Sequence, residues 1–424
     1  MLDIKFIRDN SDIIKEAVKK KHVDLSVDKL IEVDDKRRDL LREIETERSR
    51  HNQINNNIAK ENDEEARRQL IVETRILKDK LQLKEEELKK VTKKWQKMML
   101  EVPNIPDVSV PAGKTDAENQ PIRSWGEKPE FSFSPRDHID LLMTNGWVDT
   151  ERGVKVSGVR GYFLTGLGVS LSMAIWQWAM NRLSKKGYKP FLAPSLLKRE
   201  PFLGTGYVPQ GEEDLYKTQD GTYLAGTSEV ALMGCFMEEN LGVGELPIKA
   251  VAFSPCFRRE AGSHGRDTKG LIRVHEFYKV EQIIIGEADH QLSVKYHQEL
   301  TEQAEELMQE LRLPYQVVVN CGGDLGLGAV KKHDIEAWMP SEDKYRETHS
   351  ISYFHDWQTR RLNIKYRDRE GRNRLAHSLN GTATATPRLI AAIAENYQQP
   401  DGSIAIPEVL KPYLQTRTDN QITG

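Results

Sequence analysis

From Asp28 to Leu100 the chain contains neither glycine nor proline, and its composition turns to Glu, Lys, Arg and Leu. Nothing in this run breaks a helix, and straight-chain residues lose little rotamer freedom in one. The second half has a register. Leu70, Thr74, Leu77, Leu81, Lys84, Leu88, Val91, Trp95 and Met98 step by four and three, and seven of the nine are apolar. That repeat is the seam of a coiled coil. The first half is weaker, with Leu40, Leu41, Ile44, Ile54 and Ile58 interrupted by polar Arg48 and His51. Glu61 to Glu65 offers a reversal, so the run predicts an antiparallel helical hairpin over 28–100. At a rise of 1.5 Å per residue, arms of roughly 35 residues extend about 50 Å. Two helices bury too little core to be a domain for their own sake, so a rod of this kind reaches for something. Residues 1–27 read as a short helical preface to it.

The rest is of another kind. Pro103, Pro106, Pro111 and Pro121 mark a connecting stretch. Beyond it strands and helices alternate with glycine-rich turns, as expected of one α+β domain. The expected organisation is a helical domain over 1–102, a linker over 103–125 and the larger domain over 126–424. Net charge over the 424 residues is −3, and nothing global announces a nucleic-acid partner. The balance is uneven, however: residues 1–100 carry 25 Lys/Arg against 22 Asp/Glu, and the remainder is acidic. Cys235, Cys256 and Cys321 are scattered without metal-ligand spacing, which fits a reducing compartment. The start, Met-Leu-Asp-Ile-Lys, lacks the basic then apolar pattern of a signal peptide. Gly161 to Asn181 has no charge, but Gly166 and Gly168 split it and Gln177 and Asn181 interrupt it. A core strand followed by a buried helix from near Ser170 is expected there, not a membrane span. A soluble, cytoplasmic protein is the expectation.

The stretch from Phe257 to Glu281 carries the chemistry. Two strand-like runs flank a polar loop. Alternation in the second puts Arg273, His275, Phe277, Lys279 and Glu281 on one face, with Ile272, Val274, Tyr278, Val280 and Ile284 behind. Glu276 and Gln282 are polar exceptions on that back face. Arg258 and Glu260, two apart in the first run, share a face as well. Such a front suits a ligand anionic at one end and aromatic at the other; the same spacing also fits a solvated charged hairpin.

These residues resemble motif 2 of the class II aminoacyl-tRNA synthetases, and the wording from Ala261 to Glu281 is similar to that of the seryl-tRNA synthetases. His264 stands where a small residue is usual. The resemblance runs from the helical arm to Asn396-Tyr397-Gln398. Gly187 to Pro194 resembles motif 1, the dimer element. Thr227-Ser228-Glu229 resembles the serine-contacting triplet, and Leu379 to Arg388 resembles motif 3. In that last stretch Thr386 has the chemistry of an N-cap and Pro387 that of a first helical residue. Arg388 would then lie in a first helical turn, where a guanidinium favours phosphate. Glu347 to Ser350 matches the segment that meets the ATP-bound magnesium.

The resemblance implies a ligase that joins serine to ATP as seryl adenylate and passes it to tRNA(Ser). Whether tRNA(Sec) is a second acceptor stays open. For ATP it implies Arg258, Arg259, Glu260, Val274, Phe277, Glu347, Thr348, His349, Ser350 and Arg388. Within that set, Arg258 would hold the α-phosphate, Arg388 the γ-phosphate, and Phe277 would stack on adenine. For serine it implies Thr227, Ser228, Glu229, Arg258, Glu281 and Thr382. Glu347 and Ser350 would hold Mg2+, and no zinc is expected. It further implies an antiparallel catalytic sheet flanked by helices, and a homodimer with tRNA bound across subunits. Lys89, Lys90, Lys93, Lys94 and Lys97 are candidate tRNA contacts on the arm, although a Lys-rich helix face is usually only solvated. Two other readings compete: a non-catalytic RNA-binding paralogue, and a ligase that loads an amino acid onto a carrier protein.

Overall fold

The computed structural model describes residues 1–261 and 270–414. His264 and most of the loop around it therefore lie outside the described residues. The chain divides into two compact units, Met1–Pro103 and the remainder from Asn104.

The first unit is helical throughout: α1 (Ile4–Asp9), α2 (Ser11–Lys20), α3 (Val27–Ile58) and α4 (Glu64–Glu101). Side chains cap the two long helices. Ser26 Oγ accepts from Lys29 N at 3.2 Å, and Asp63 Oδ1 accepts from Glu65 N at 2.8 Å. The reversal falls just ahead of Asp63, as the polar stretch predicted. All nine seam residues of α4 are buried or half-buried, and Leu77 and Leu81 pack with Ile44 and Ile54. Leu41 departs from expectation, being exposed, because the stripe on α3 is only wide enough for Leu40 and Ile44. Lys84, the polar member of the seam, has a reason to be there. Its ammonium reaches Glu43 at 2.7 Å and Glu47 at 2.8 Å, and with Lys80 it holds the Glu47 carboxyl below the usual range. Arg48–Glu85 and Arg50–Glu73 extend the ladder at 2.6 and 2.5 Å. Exposed pairs of this sort add about 0–1 kcal/mol each, so the apolar seam does most of the holding.

The second unit is built on an eight-stranded sheet of β1 (Gln120–Trp125), β2 (Lys189–Leu192), β3 (Ile248–Phe257), β4 (Glu276–Gly286), β5 (Tyr315–Val319), β6 (Lys331–Met339), β7 (Lys344–His355) and β8 (His377–Thr386). The spatial order is β1-β5-β6-β7-β8-β4-β3-β2, antiparallel except at the β2–β3 edge. The α+β class expected from the sequence is borne out. Helices α5 (Gly166–Lys185), α7 (His290–Glu310) and α9 (Arg388–Asn396) pack on the back of the sheet. The back-facing Val280, Ile284, Ile335 and Ile351 meet Leu171, Ile175, Leu300 and Ile390 there. Each large apolar side chain so buried contributes roughly 1.5–3 kcal/mol. Of the polar exceptions on β4, Glu276 is exposed, and Gln282 donates from Nε2 to Leu300 O at 3.2 Å while its Oε1 is buried with no partner among the described residues. The shorter α6 (Ser228–Cys235) and α8 (Trp357–Leu362) lie elsewhere in the unit.

Three local outcomes differ from the sequence reading. Helix α5 starts at Gly166, not near Ser170, because its glycines serve close packing: a Cβ on Gly168 would lie 2.5 Å from Trp147 O. The proline-rich stretch is bound into the second unit, with Asn104 Nδ2 donating to Gly328 O and Phe354 O and β1 paired to β5. Thr386 does not cap α9. It closes β8, donating to Tyr278 O at 3.1 Å and accepting from Trp176 Nε1 at 2.8 Å, so Pro387 takes the cap position.

Leu77→Ala should destabilise the hairpin by about 2–3 kcal/mol. Hydrogen exchange on the full chain would show it as lost amide protection across 27–101, with the second unit unchanged. Unaltered protection would mean that the seam is not what holds the arm.

Candidate active site

The front of the sheet opens on a cavity of about 610 Å³. Alternation along β4 presents Phe277, Lys279 and Glu281 to it, β8 adds Thr382, and β7 adds Thr348 and Ser350. The N-terminus of α6 brings Thr227 and Glu229.

One linked group of polar side chains joins these elements. Thr227 Oγ1 caps α6 by accepting from Glu229 N at 3.3 Å, and it also accepts from Lys279 Nζ at 2.7 Å. The same ammonium lies 2.6 Å from Glu281 Oε2, to which Thr382 Oγ1 donates at 3.2 Å. Glu229, only 2 % exposed, accepts from Tyr207 OH at 3.0 Å and Gln358 Nε2 at 2.7 Å. Burial pushes the Glu229 carboxyl up to about 7, and nearby Glu281 adds to the rise; the two hydrogen bonds offset part of it.

A second group is cationic. Arg258 follows β3, its Nε donating to Gly226 O at 3.3 Å and its guanidinium 5.3 Å from the centre of the Phe277 ring. Arg388, first residue of α9, donates from Nε to Ile272 O at 3.0 Å and from Nη1 to Glu347 O at 2.9 Å. Its Nη1 is also 3.4 Å from the Glu347 carboxylate. Burial works to raise the Glu347 carboxyl, but Arg388, Lys332 and Arg258 outweigh it and hold it below the usual range. Lys332 in turn lies 3.5 Å from Asp334, which is paired across the sheet with Ser350. The cavity thus offers anions a wall of guanidinium and ammonium groups, and a cation the carboxylates of Glu229, Glu281 and Glu347.

Of the residues expected here, twelve line the cavity: Thr227, Glu229, Arg258, Glu260, Val274 and Phe277, then Glu281, Glu347, Thr348, Ser350, Thr382 and Arg388. Three do not. Ser228 turns into the core, its hydroxyl 2.6 Å from that of Ser254, because the first turn of α6 presents that position to β3. Arg259 is exposed, and its backbone N–H is committed to Asp214 O at 2.9 Å. His349 is buried between Thr348 Oγ1 and Ala383 O, and burial pushes its imidazole down to about 4. Strict alternation also fails ahead of β4. The strand begins only at Glu276, so Ile272 and Val274 line the cavity in place of Arg273 and His275. Arg273 pairs with Glu260 at 3.0 Å, and His275 Nδ1 lies 2.9 Å from Arg258 O. Nor do Arg258 and Glu260 share a strand, since β3 ends at Phe257 and Glu260 has φ +53°. Sequence reasoning assigned no role to Tyr207, Gln358 or Lys332. Their partners are distant in sequence and no spacing announces them.

The folded protein keeps a proton on Glu229 up to about pH 7, whereas the unfolded chain loses it near the ordinary carboxylate value of 4.5. Between those limits the folded state binds more protons, so this group's contribution to stability falls as pH rises. Glu229→Gln should therefore match the parent in thermal stability near pH 4.5 and exceed it at pH 8, read by calorimetry. A variant less stable than the parent at pH 8 would contradict this.

Comparison with known proteins fixes the family. The model for the seryl-tRNA synthetase N-terminal domain matches residues 1–106. That for the class II tRNA synthetase core domain (G, H, P, S and T) matches 214–397. The serine–tRNA ligase of Deinococcus radiodurans is 43 % identical over 98 % of this chain and 97 % of its own. A crystal structure of seryl-tRNA synthetase from Pyrococcus horikoshii complexed with ATP superposes with a TM-score of 0.89 at 39 % identity, covering 98 % of each chain. Cytoplasmic serine–tRNA ligase from Naegleria fowleri in complex with AMP gives 0.84 at 32 % identity, over 98 % of this chain and 97 % of its own. With twelve of the fifteen expected site residues on one cavity, and with identity running the length of both units, this chain belongs to the seryl-tRNA synthetase family.

Proposed function

We propose that the protein is a serine–tRNA ligase, which activates L-serine with ATP and transfers it to the 3′ end of tRNA(Ser). The observation that carries this is the meeting, in one cavity, of Arg258 and Arg388 with the buried carboxylates Glu229 and Glu281, in a chain similar to serine–tRNA ligases along its whole length. A zwitterionic amino acid and a triphosphate need that combination.

No nucleophilic side chain is required. The serine carboxylate attacks the α-phosphate and pyrophosphate leaves; a hydroxyl of the terminal ribose then attacks the acyl carbon of the adenylate, and AMP leaves as the ester forms. The site has to align and neutralise. Arg258 grips the α-phosphate and the amino-acid carboxylate, Arg388 the far end of the triphosphate. Phe277 offers its ring to adenine, beside Glu260 and the Val274 backbone. Glu229 and Thr227 receive the ammonium, Glu281 and Thr382 the hydroxyl. The residues fit Mg2+ carried in with ATP, since Glu347 is ionised, 48 % exposed at its side chain and joined on the cavity wall by Ser350. Both are hard oxygen donors. Among the described residues no three His, Cys, Asp or Glu side chains gather to hold a metal by themselves. Nucleotide oxygens would complete the shell, and the ion would supply charge neutralisation to the triphosphate.

The helical arm supports a role in tRNA binding. Lys89, Lys90, Lys93, Lys94 and Lys97 are all exposed on α4, as contacts to RNA phosphates would need to be. The arm also weighs against the carrier-protein reading, which has no use for it, and the intact set of cavity charges weighs against a non-catalytic paralogue. A homodimer through the β2 edge suits Leu192, 80 % exposed on that strand. No described helix is long and apolar enough to cross a membrane, and the proposed site of action is the cytoplasm.

ATP–pyrophosphate exchange should depend on serine, and Arg258→Ala or Arg388→Ala should lower it by roughly 10²–10³-fold. Exchange driven by another amino acid and not serine would sink the specificity; wild-type rates in either variant would sink the mechanism. Because Glu229 takes up a proton near pH 7, the serine KM should climb as pH falls from 8 to 6. A flat profile would remove Glu229 from ammonium binding. Replacing Lys89, Lys93 and Lys97 together by Glu should weaken tRNA charging while leaving exchange intact, with a shallower salt dependence. Equal charging by that variant would clear these lysines of the role.

A further inference from the structure

The amino-acid pocket holds one carboxylate too many for a simple account. Serine brings one ammonium and one carboxylate. Arg258 answers the carboxylate, yet two buried carboxylates, Glu229 and Glu281, stand ready for the single ammonium. Lys279 is also there, 5 % exposed, with its Nζ 2.6 Å from Glu281 Oε2 and 2.7 Å from Thr227 Oγ1. Counting it balances the site: two carboxylates, one guanidinium and one ammonium around a zwitterion.

The geometry says which carboxylate it serves. Strand β4 puts Lys279 and Glu281 two residues apart on one face. A bulge between Val280 and Glu281 in the pairing with β8 then sets Glu281 opposite Thr382. Both donors, Lys279 Nζ and Thr382 Oγ1, reach the same oxygen, Oε2. The other oxygen, Oε1, is left as an acceptor. Glu229 receives its donors from elsewhere, Tyr207 and Gln358.

We propose that Lys279 is a specificity-determining positioning residue: by pairing with Glu281 it divides the two carboxylates, so that Glu281 reads the hydroxyl of the substrate and Glu229 its ammonium. This rests on the serine-activating function proposed above. A carboxylate 1 % exposed beside a second carboxylate is costly to bury unless a counter-charge answers it. Held by the ammonium at Oε2, it presents Oε1 to a substrate hydroxyl as a charge-assisted acceptor, and that hydrogen bond separates serine from alanine. Thr227 accepts from the same ammonium, which holds its hydroxyl oxygen on the cavity wall at the start of α6.

The test is amino-acid-dependent ATP–pyrophosphate exchange by the full-length protein and its variants. Lys279→Met should raise the serine KM by roughly a hundredfold, as expected for stranding a buried charge. The preference for serine over alanine should fall with it, while the ATP KM stays within about twofold. Lys279→Arg should recover much of the serine affinity. In a Glu281→Gln background, where a neutral amide needs no counter-charge, the Met substitution should add less than about threefold. A serine KM unchanged in Lys279→Met, or an equal penalty in both backgrounds, overturns the proposal. Should the Met variant fail to fold, Lys279→Gln against Lys279→Arg makes the same comparison, one losing the charge and the other keeping it. Failure of the parent reading shows separately, as an unaltered protein that exchanges with an amino acid other than serine.

Discussion

The site depends on the antiparallel pairing of β4 with β3 on one side and β8 on the other. A strand offers its two faces alternately, and here the back face is committed by Val280 and Ile284 to the helical core. That commitment leaves no freedom for the front: Phe277, Lys279 and Glu281 must face the cavity, because a slip of one residue would drive charge into apolar packing. The hydrophobic effect fixes the register, and the register fixes the chemistry.

Charges so placed are wholly or partly withdrawn from water and have to answer one another. Glu281 has Lys279, Glu347 has Arg388, and Asp334 has Lys332. Glu229 alone among the carboxylates discussed leans on neutral donors, and its displacement toward neutrality is the physical cost of that choice. A group whose charged form burial disfavours is one that a cationic substrate can stabilise on arrival. Thus the least comfortable side chain in the cavity is the one best suited to bind an ammonium.

How far the sequence disclosed this varied with the distance over which the physics acts. The helical arm was legible almost residue by residue, since a seam stepping by four and three needs only its own neighbours to declare itself. Leu41 failed for the same reason, as nothing local says how wide a stripe the opposite helix will cover. Motif wording gathered twelve expected residues onto the cavity, yet it could not orient them. Ser228 and Thr227 are adjacent, and only the packing of α6 against β3 decides that one hydroxyl faces Ser254 and the other the cavity. His349 sits between two cavity residues and looks inward because the pleat does. Val274 and Ile272 reversed their expected side because β4 starts later than its pattern of residues suggests. Lys279 stood on the correct face from the outset, but its partner Thr227 is 52 residues away, and no spacing rule spans that gap.

The hydroxyl of Thr386 is claimed from two directions, by the indole N–H of Trp176 on α5 and by the carbonyl of Tyr278 on β4. Arg388 follows two residues later. Its anchorage therefore descends in part from the packed interior, beside the bonds its own guanidinium makes to Ile272 O and Glu347 O. An indole outside the cavity lining becomes, through one threonine, part of what seats the Arg388 guanidinium, and drift in the sequence at Trp176 would be felt as slack there.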